Sequence, residues 1–160
     1  MIPEKLPQRI EQFKAGLARK GIKLTHQRLE IFREVTSSTE HPDVETVFRA
    51  VRERVPTVSL DTVYRTLWLL HDLGLVTAMG HPHGRVRFDA NQQVHHHFVC
   101  TVCGLTRDFY CDAFDQLQIP DSVRSLGRIE RAQVEVRGVC RRCADDPVTK
   151  SAPGAKKEAL

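Results

Sequence analysis

Apolar residues along the first half of the chain recur at helical spacing. Leu6, Ile10, Phe13 and Leu17 mark one stripe, which predicts a helix over residues 5–20 that stops at Gly21. Thr25 stands where an N-cap belongs, and after it Leu29, Phe32 and Val35 share a face while Arg28 and Arg33 point to solvent. The cleanest pattern follows His41-Pro42-Asp43: Val44, Val47, Phe48 and Val51 fall at i, i+3, i+4 and i+7, and Pro56 ends the helix. Ser59 is the next N-cap, and Leu60, Val63, Leu67 and Leu70 form the buried stripe of a fourth helix over residues 59–73, closed by Gly74.

Beyond Gly74 the helical period stops. Residues 76–79 and 85–88 flank the turn-rich stretch Gly80-His81-Pro82-His83-Gly84, which predicts a β-hairpin. Short helices followed by a two-stranded hairpin are the order of a winged helix-turn-helix, whose recognition helix presents its amino-terminal part to the DNA major groove. In that arrangement Thr62, Tyr64, Arg65 and Thr66 lie near the duplex, Arg19, Lys20 and Lys23 run along phosphates, and Arg85 or Arg87 acts from the wing. The same residues also suit a plain helical bundle with solvated charges. In the second half, residues 94–102 have strand composition, residues 113–126 look helical and residues 129–139 alternate as a strand. The fold class expected is α+β: a winged-helix domain over residues 1–90 with a hinge near 88–92, a small α/β domain over 93–143 and a disordered tail over 144–160.

Composition fits this division. A chain of 160 residues with 41% hydrophobic and 28% charged residues is too apolar for a long disordered chain and large enough for two small domains. Its apolar runs fall far short of the roughly 20 residues a membrane span needs, and no signal pattern opens the chain, so a cytoplasmic protein without membrane association is expected. Residues 1–36 hold eight Lys/Arg and four Asp/Glu, an excess of four that equals the formal net charge of +4 for the whole chain. The basic character is therefore local to the expected DNA-binding end.

The cysteines gather in the other half. Cys100 and Cys103 form one CxxC pair and Cys140 and Cys143 another. Each such turn lets two thiolates converge, and two turns complete the tetrahedral sulfur set of a structural Zn²⁺ site with no open position. Disulfides are the rival reading, disfavoured in a cytoplasmic compartment. Cys111 is left over as a small thiol.

A second cluster mixes nitrogen and oxygen donors. On a strand His95 and His97 share a face while His96 turns away; Asp89 and Asp108 are placed to join them, and His41 reaches in from the loop before the third helix. Three imidazoles and two carboxylates suit Fe²⁺ or Mn²⁺ better than a soft metal, although a His-rich strand can also be solvated or bind metal adventitiously.

Taken together, Gly21-Ile22-Lys23-Leu24-Thr25 with Gln27-Arg28, Glu40-His41-Pro42, Thr62-Val63-Tyr64-Arg65-Thr66-Leu67, Gly74-Leu75-Val76, His95-His96-His97-Phe98-Val99-Cys100-Thr101-Val102-Cys103-Gly104 and the closing Cys140/Cys143 pair resemble the ferric uptake regulator (Fur) family over residues 9–143. The resemblance implies a homodimeric, metal-dependent repressor of a palindromic operator, not an enzyme. It puts Tyr64 and Arg65 on bases, Lys23 in the minor groove and a regulatory metal on His41, Asp89, His95, His97 and Asp108. Asp at both carboxylate positions resembles the peroxide-responsive PerR branch, in which an iron-bound site with an open position leads to oxidation of His41 or His95; Fur proteins that sense iron more usually carry Glu. A further metal site of the family would fall on Val94, His96, Asp115 and Ala132, two of which cannot ligate. The alternatives are an iron-responsive repressor released by metal loss, a zinc or manganese sensor of the same family, a metal hydrolase and a zinc-stabilised interaction module.

Overall fold

Three of the capping signals in the first half act as caps. In the computed structural model, which describes residues 6–80 and 85–145, α1 spans Leu6–Arg19. Helix α2 (His26–Ser37) starts where Thr25 Oγ1 accepts from the Arg28 N–H, α3 (Val44–Arg54) where Asp43 accepts from Thr46, and α4 (Leu60–Asp72) where Ser59 accepts from Thr62. Helix α4 ends in a left-handed Gly74 (φ 70°), a conformation that costs glycine little, and Leu75 N–H returns to Leu70 O at 2.9 Å. Strands β1 (Thr77–Met79) and β2 (Arg87–Asp89) pair antiparallel, Thr77 opposite Asp89. The described part of the expected hairpin ends one residue later than the sequence pattern suggests, so Asp89 is a strand residue; the turn at 81–84 lies outside the described residues.

These elements belong to the first of two units, which divide between Val94 and His95. Its core joins Phe13 and Leu17 of α1 with Ile31, Phe32 and Val35 of α2, Val47 and Val51 of α3, Val63, Leu67 and Leu70 of α4, and Phe88 of β2. Phe13 and Phe32 stack at 4.7 Å between centroids. Arg9 is buried among them because its guanidinium bonds the Leu75 carbonyl at 3.3 Å and lies over the Phe32 ring. Leu60 departs from the expected stripe: as the first residue of α4 it is 45% exposed and lies outside the buried cluster.

The second unit is a three-stranded sheet of order β4-β3-β5, with β3 His96–Cys100, β4 Thr106–Phe109 and β5 Glu135–Gly138. Strand β4 runs antiparallel to β3 and places Asp108 opposite His97; β5 runs parallel to it. Here the regular elements are shorter than the sequence pattern suggests. The segment expected to be one helix over 113–126 forms two single turns, α5 (Asp112–Asp115) and α6 (Asp121–Arg124), separated at Pro120, which cannot continue a helix. Of the alternating stretch 129–139, only β5 finds a partner strand. A last turn, α7 (Arg141–Asp145), carries Cys143. The tail expected to be disordered lies, from residue 146 on, outside the described residues.

Candidate metal centres

Cys100 ends β3, Cys103 follows in the turn to β4, Cys140 follows β5 and Cys143 lies in α7, so strand pairing brings the two CxxC turns together. One ligand atom from each lies within 4.8 Å of all the others. Cys103 Sγ and Cys140 Sγ are 3.7 Å apart, far beyond a disulfide bond and close to the roughly 3.8 Å edge of a tetrahedron with metal–sulfur bonds of about 2.3 Å. No disulfide forms among these cysteines. Burial pushes the Cys100 thiol up, but backbone N–H groups of Cys103, Cys140 and Val102 outweigh it and bring the thiol down to about 6; the Cys140 N–H lies 3.3 Å from its sulfur. Cys143 is pushed up to about 12, chiefly by its hydrogen bond with Cys103 and by burial. The set holds thiolate readily at one corner and resists further charge at another until a cation is bound, which fits Zn²⁺ and leaves no open position. Cys111, partly buried at the start of α5, stands outside the set.

Each unit also carries imidazole and carboxylate donors. In the first, His41 Nε2 lies 3.5 Å from Asp89 Oδ1, and that oxygen accepts from the Asn91 N–H at 2.7 Å, an Asx turn that fixes the carboxylate. His41 is the one described non-glycine residue with positive φ, 49°, a left-handed conformation costing about 1–3 kcal/mol that persists only where its surroundings enforce it. Three contacts around it come from the hairpin. Arg87 Nη1 donates to His41 O at 3.0 Å and Glu40 O at 3.4 Å, and Phe88 N–H donates to Pro42 O at 3.0 Å. Arg87 is thus engaged with backbone carbonyls rather than held out for DNA, and Arg85 pairs with Asp43 and Glu45.

In the second unit, His95 Nε2 and His97 Nε2 are 3.1 Å apart, the spacing of two nitrogens at about 2.1 Å from one ion and at right angles. Asp108 Oδ1 lies 3.8 Å from His95 Nε2 and 3.5 Å from His97 Nε2. The chemistry of this set, hard oxygen beside imidazole nitrogen, fits Fe²⁺ or Mn²⁺. Gln133 Nε2 donates to His95 O at 2.9 Å, a contact that sequence periodicity gave no means of finding. His96 faces the other way, packed on Phe109 and Phe114: its Nδ1 accepts from the Val134 N–H at 3.2 Å and its Nε2 donates to Asp115 Oδ1 at 3.0 Å. Both ring nitrogens are occupied in clipping α5 and the β5 approach to β3, while Val94 is 62% exposed.

The DNA-facing candidates lie on and before α4. Tyr64 is 51% exposed; Arg65 is 78% exposed, its Nε 2.9 Å from Asp61 Oδ2. Thr62 hydrogen-bonds Ser59 side chain to side chain at 2.8 Å as well as through its N–H, so it serves the cap. Thr66, expected near the duplex, is buried because it faces the same side as Val63, Leu67 and Leu70. Lys23 is exposed between α1 and α2, its carbonyl bonded by the Arg28 guanidinium.

Residues 19–136 match the model of the ferric uptake regulator family. The chain is 29% identical over 144 residues to the peroxide-responsive repressor PerR of Staphylococcus epidermidis, covering 89% of this chain and 95% of that one. Among solved structures, the Pseudomonas aeruginosa ferric uptake regulator with manganese is 27% identical, with a TM-score of 0.65 over 80% of this chain and 97% of that one. The Helicobacter pylori ferric uptake regulator shares the fold at a TM-score of 0.77, with 20% identity over 90% and 97% of the two chains. With its helices, hairpin, four-cysteine set and His/Asp donors all in place, the chain belongs to the ferric uptake regulator family.

Proposed function

We propose that this chain is a homodimeric, metal-dependent transcriptional repressor that leaves its operator when peroxide oxidises a ligand histidine. The observation that carries the reading is the pair of half-sites, His41 with Asp89 and His95, His97 with Asp108, in which both carboxylates are aspartates. The likeness to a peroxide-responsive repressor over 95% of that protein's length supports it. In this reading the two half-sites serve one Fe²⁺ or Mn²⁺, occupancy holds the repressor in its DNA-binding form, and a structural Zn²⁺ stays on Cys100, Cys103, Cys140 and Cys143 throughout. Fe²⁺, if held by His41, Asp89, His95, His97 and Asp108, would supply the redox chemistry by which H₂O₂ oxidises the imidazole of His41 or His95, one peroxide oxygen ending on the ring and the other in water. An oxidised imidazole would be a poorer donor, so the metal would be held less firmly.

Lys23, Thr62, Tyr64 and Arg65 serve double-stranded DNA, with Arg65 suited to a base edge and Lys23 to the backbone. A second copy of the chain is supported by the second unit, where Leu126 is 85% exposed and Val136 and Val139 on and beside the outer strand β5 are exposed as well. No helix among the described residues is long and apolar enough to cross a membrane. Mass spectrometry of the Fe²⁺ form after peroxide is expected to show one added oxygen on a His41 or His95 peptide, with loss of operator binding that the Mn²⁺ form resists. Release without histidine oxidation, equal in both forms, overturns the peroxide reading in favour of an iron-responsive repressor.

A further inference from the structure

Strand β2 does two things for the proposed regulatory metal, and only one of them is ligation. Asp89 at its end offers a carboxylate, while Arg87, two residues earlier, grips the backbone of the other ligand residue in the same unit. Arg87 Nη1 reaches His41 O at 3.0 Å and Glu40 O at 3.4 Å, Asp43 forms an antiparallel bridge with Arg87, and Phe88 N–H bonds Pro42 O at 3.0 Å. Residues 40–43 are thereby laid along the hairpin as a short third edge. Among these residues it is His41 that carries a left-handed φ, 49°, a torsion that would relax if its carbonyl were released. Relaxing that torsion rotates the Cα–Cβ bond and swings the imidazole off Asp89, from which its Nε2 is 3.5 Å away.

From this juxtaposition we propose that Arg87 is a positioning residue for the regulatory metal: its guanidinium holds the His41 carbonyl and so presents the imidazole beside Asp89. The proposal rests on the regulatory-site reading above. Both carbonyls are reached by one nitrogen, Nη1, whose two hydrogens are fixed in the guanidinium plane; a lysine ammonium has donors to spare but no fixed plane and would hold the pair less firmly. It also makes the hairpin and the ligand loop one mechanical piece, so that a change at the metal is felt at the hairpin through the same guanidinium.

The test is titration of the zinc-loaded full chain with Mn²⁺ and, in parallel, with Co²⁺, whose visible absorption reports ligand geometry. Partners of ligand residues typically affect metal affinity about 10- to 100-fold, so Arg87→Met is expected to weaken Mn²⁺ by that factor and to alter the Co²⁺ spectrum. Arg87→Lys, which keeps the charge and N–H donors but on a freely rotating ammonium, is expected to fall in between, weakened roughly threefold. Arg85→Met, which removes the neighbouring arginine bound to Asp43 and Glu45, is expected to stay within about twofold of the native chain. An Arg87→Met chain that keeps native Mn²⁺ affinity and Co²⁺ spectrum overturns the proposal, as does an equal loss in Arg85→Met. Should Arg87→Met fail to fold, Arg87→Lys decides: native affinity with a native spectrum overturns, weakening with an altered spectrum supports. Asp89→Ala in the same titration separates the two levels. If the native chain binds Mn²⁺ no better than Asp89→Ala, the regulatory site itself is absent and the role of Arg87 falls with it.

Discussion

The two units of this chain solve the problem of a small core in opposite ways. The first buries sixteen apolar residues in one cluster drawn from four helices and the hairpin, with Phe13, Phe32, Val47, Leu67 and Phe88 fully covered. The buried cluster of the second consists of Cys100, Cys140 and Cys143, with Phe98, Cys103 and Leu105 packed against it. Apolar burial at about 25 cal/mol per Å² stabilises the first unit by itself, whereas a set of thiols offers little area. A structural Zn²⁺ contributes roughly 10–16 kcal/mol in small metal domains, enough to replace the missing hydrocarbon. The lesson is that the metal ligands of the second unit are its buried cluster, while the cluster of the first is built from apolar side chains alone and includes neither His41 nor Asp89.

This contrast can be broken most severely at the cysteines. Cys140→Ser, or removal of zinc by a strong chelator, is expected to unfold the second unit and leave the first folded. Hydrogen exchange is the measurement: amides of β3, β4 and β5 lose protection while those of α2 and α4 keep theirs. Protection lost in both units, or in neither, would refute the division of labour. Next in size, Phe32→Ala in the centre of the first unit should cost about 3–5 kcal/mol in denaturant unfolding, because it leaves a cavity against Phe13, yet zinc content should not change.

A smaller effect sharpens the picture of the first unit at its edge. Burial pushes the Glu30 carboxyl up, but hydrogen bonds and attraction from Arg33 and Arg54 outweigh it and hold it below the usual carboxylate range. Because the folded value is lowered, the stabilisation is present above the unfolded value of about 4.5 and is lost as pH falls through the folded one. Glu30→Gln should therefore cost the first unit about 1–2 kcal/mol near neutral pH and flatten the acid side of its stability profile. Urea unfolding between neutral and acid pH checks this, and an unchanged slope would mean that the two arginines contribute little.

How much of this was legible beforehand follows the same contrast. The helices of the first unit could be read within a residue or two because each repeats an apolar stripe over about two turns or more, and α2, α3 and α4 begin at a Thr, Asp or Ser cap. In the second unit the strands span four or five residues and the helices a single turn, too short for periodicity to show, and Pro120 divides what composition alone reads as one helix. Among site residues, the CxxC pairs and the His tract announce themselves by type and spacing. Thr66 did not reveal that it faces the core, nor Arg87 that it faces a carbonyl, because both look the same in sequence whichever way they point.

By itself, then, the sequence determined the family, the order of helices and hairpin, the four thiols and the imidazole and carboxylate donors, since these depend on residue type and local spacing. Only the tertiary structure decided that Arg87 bonds the carbonyl of a left-handed His41, that His96 commits both nitrogens to Asp115 and Val134, and that Leu60 stays outside the core. Those outcomes depend on which backbone carbonyl or side chain lies within about 3 Å once distant segments pack, and no local pattern encodes that distance.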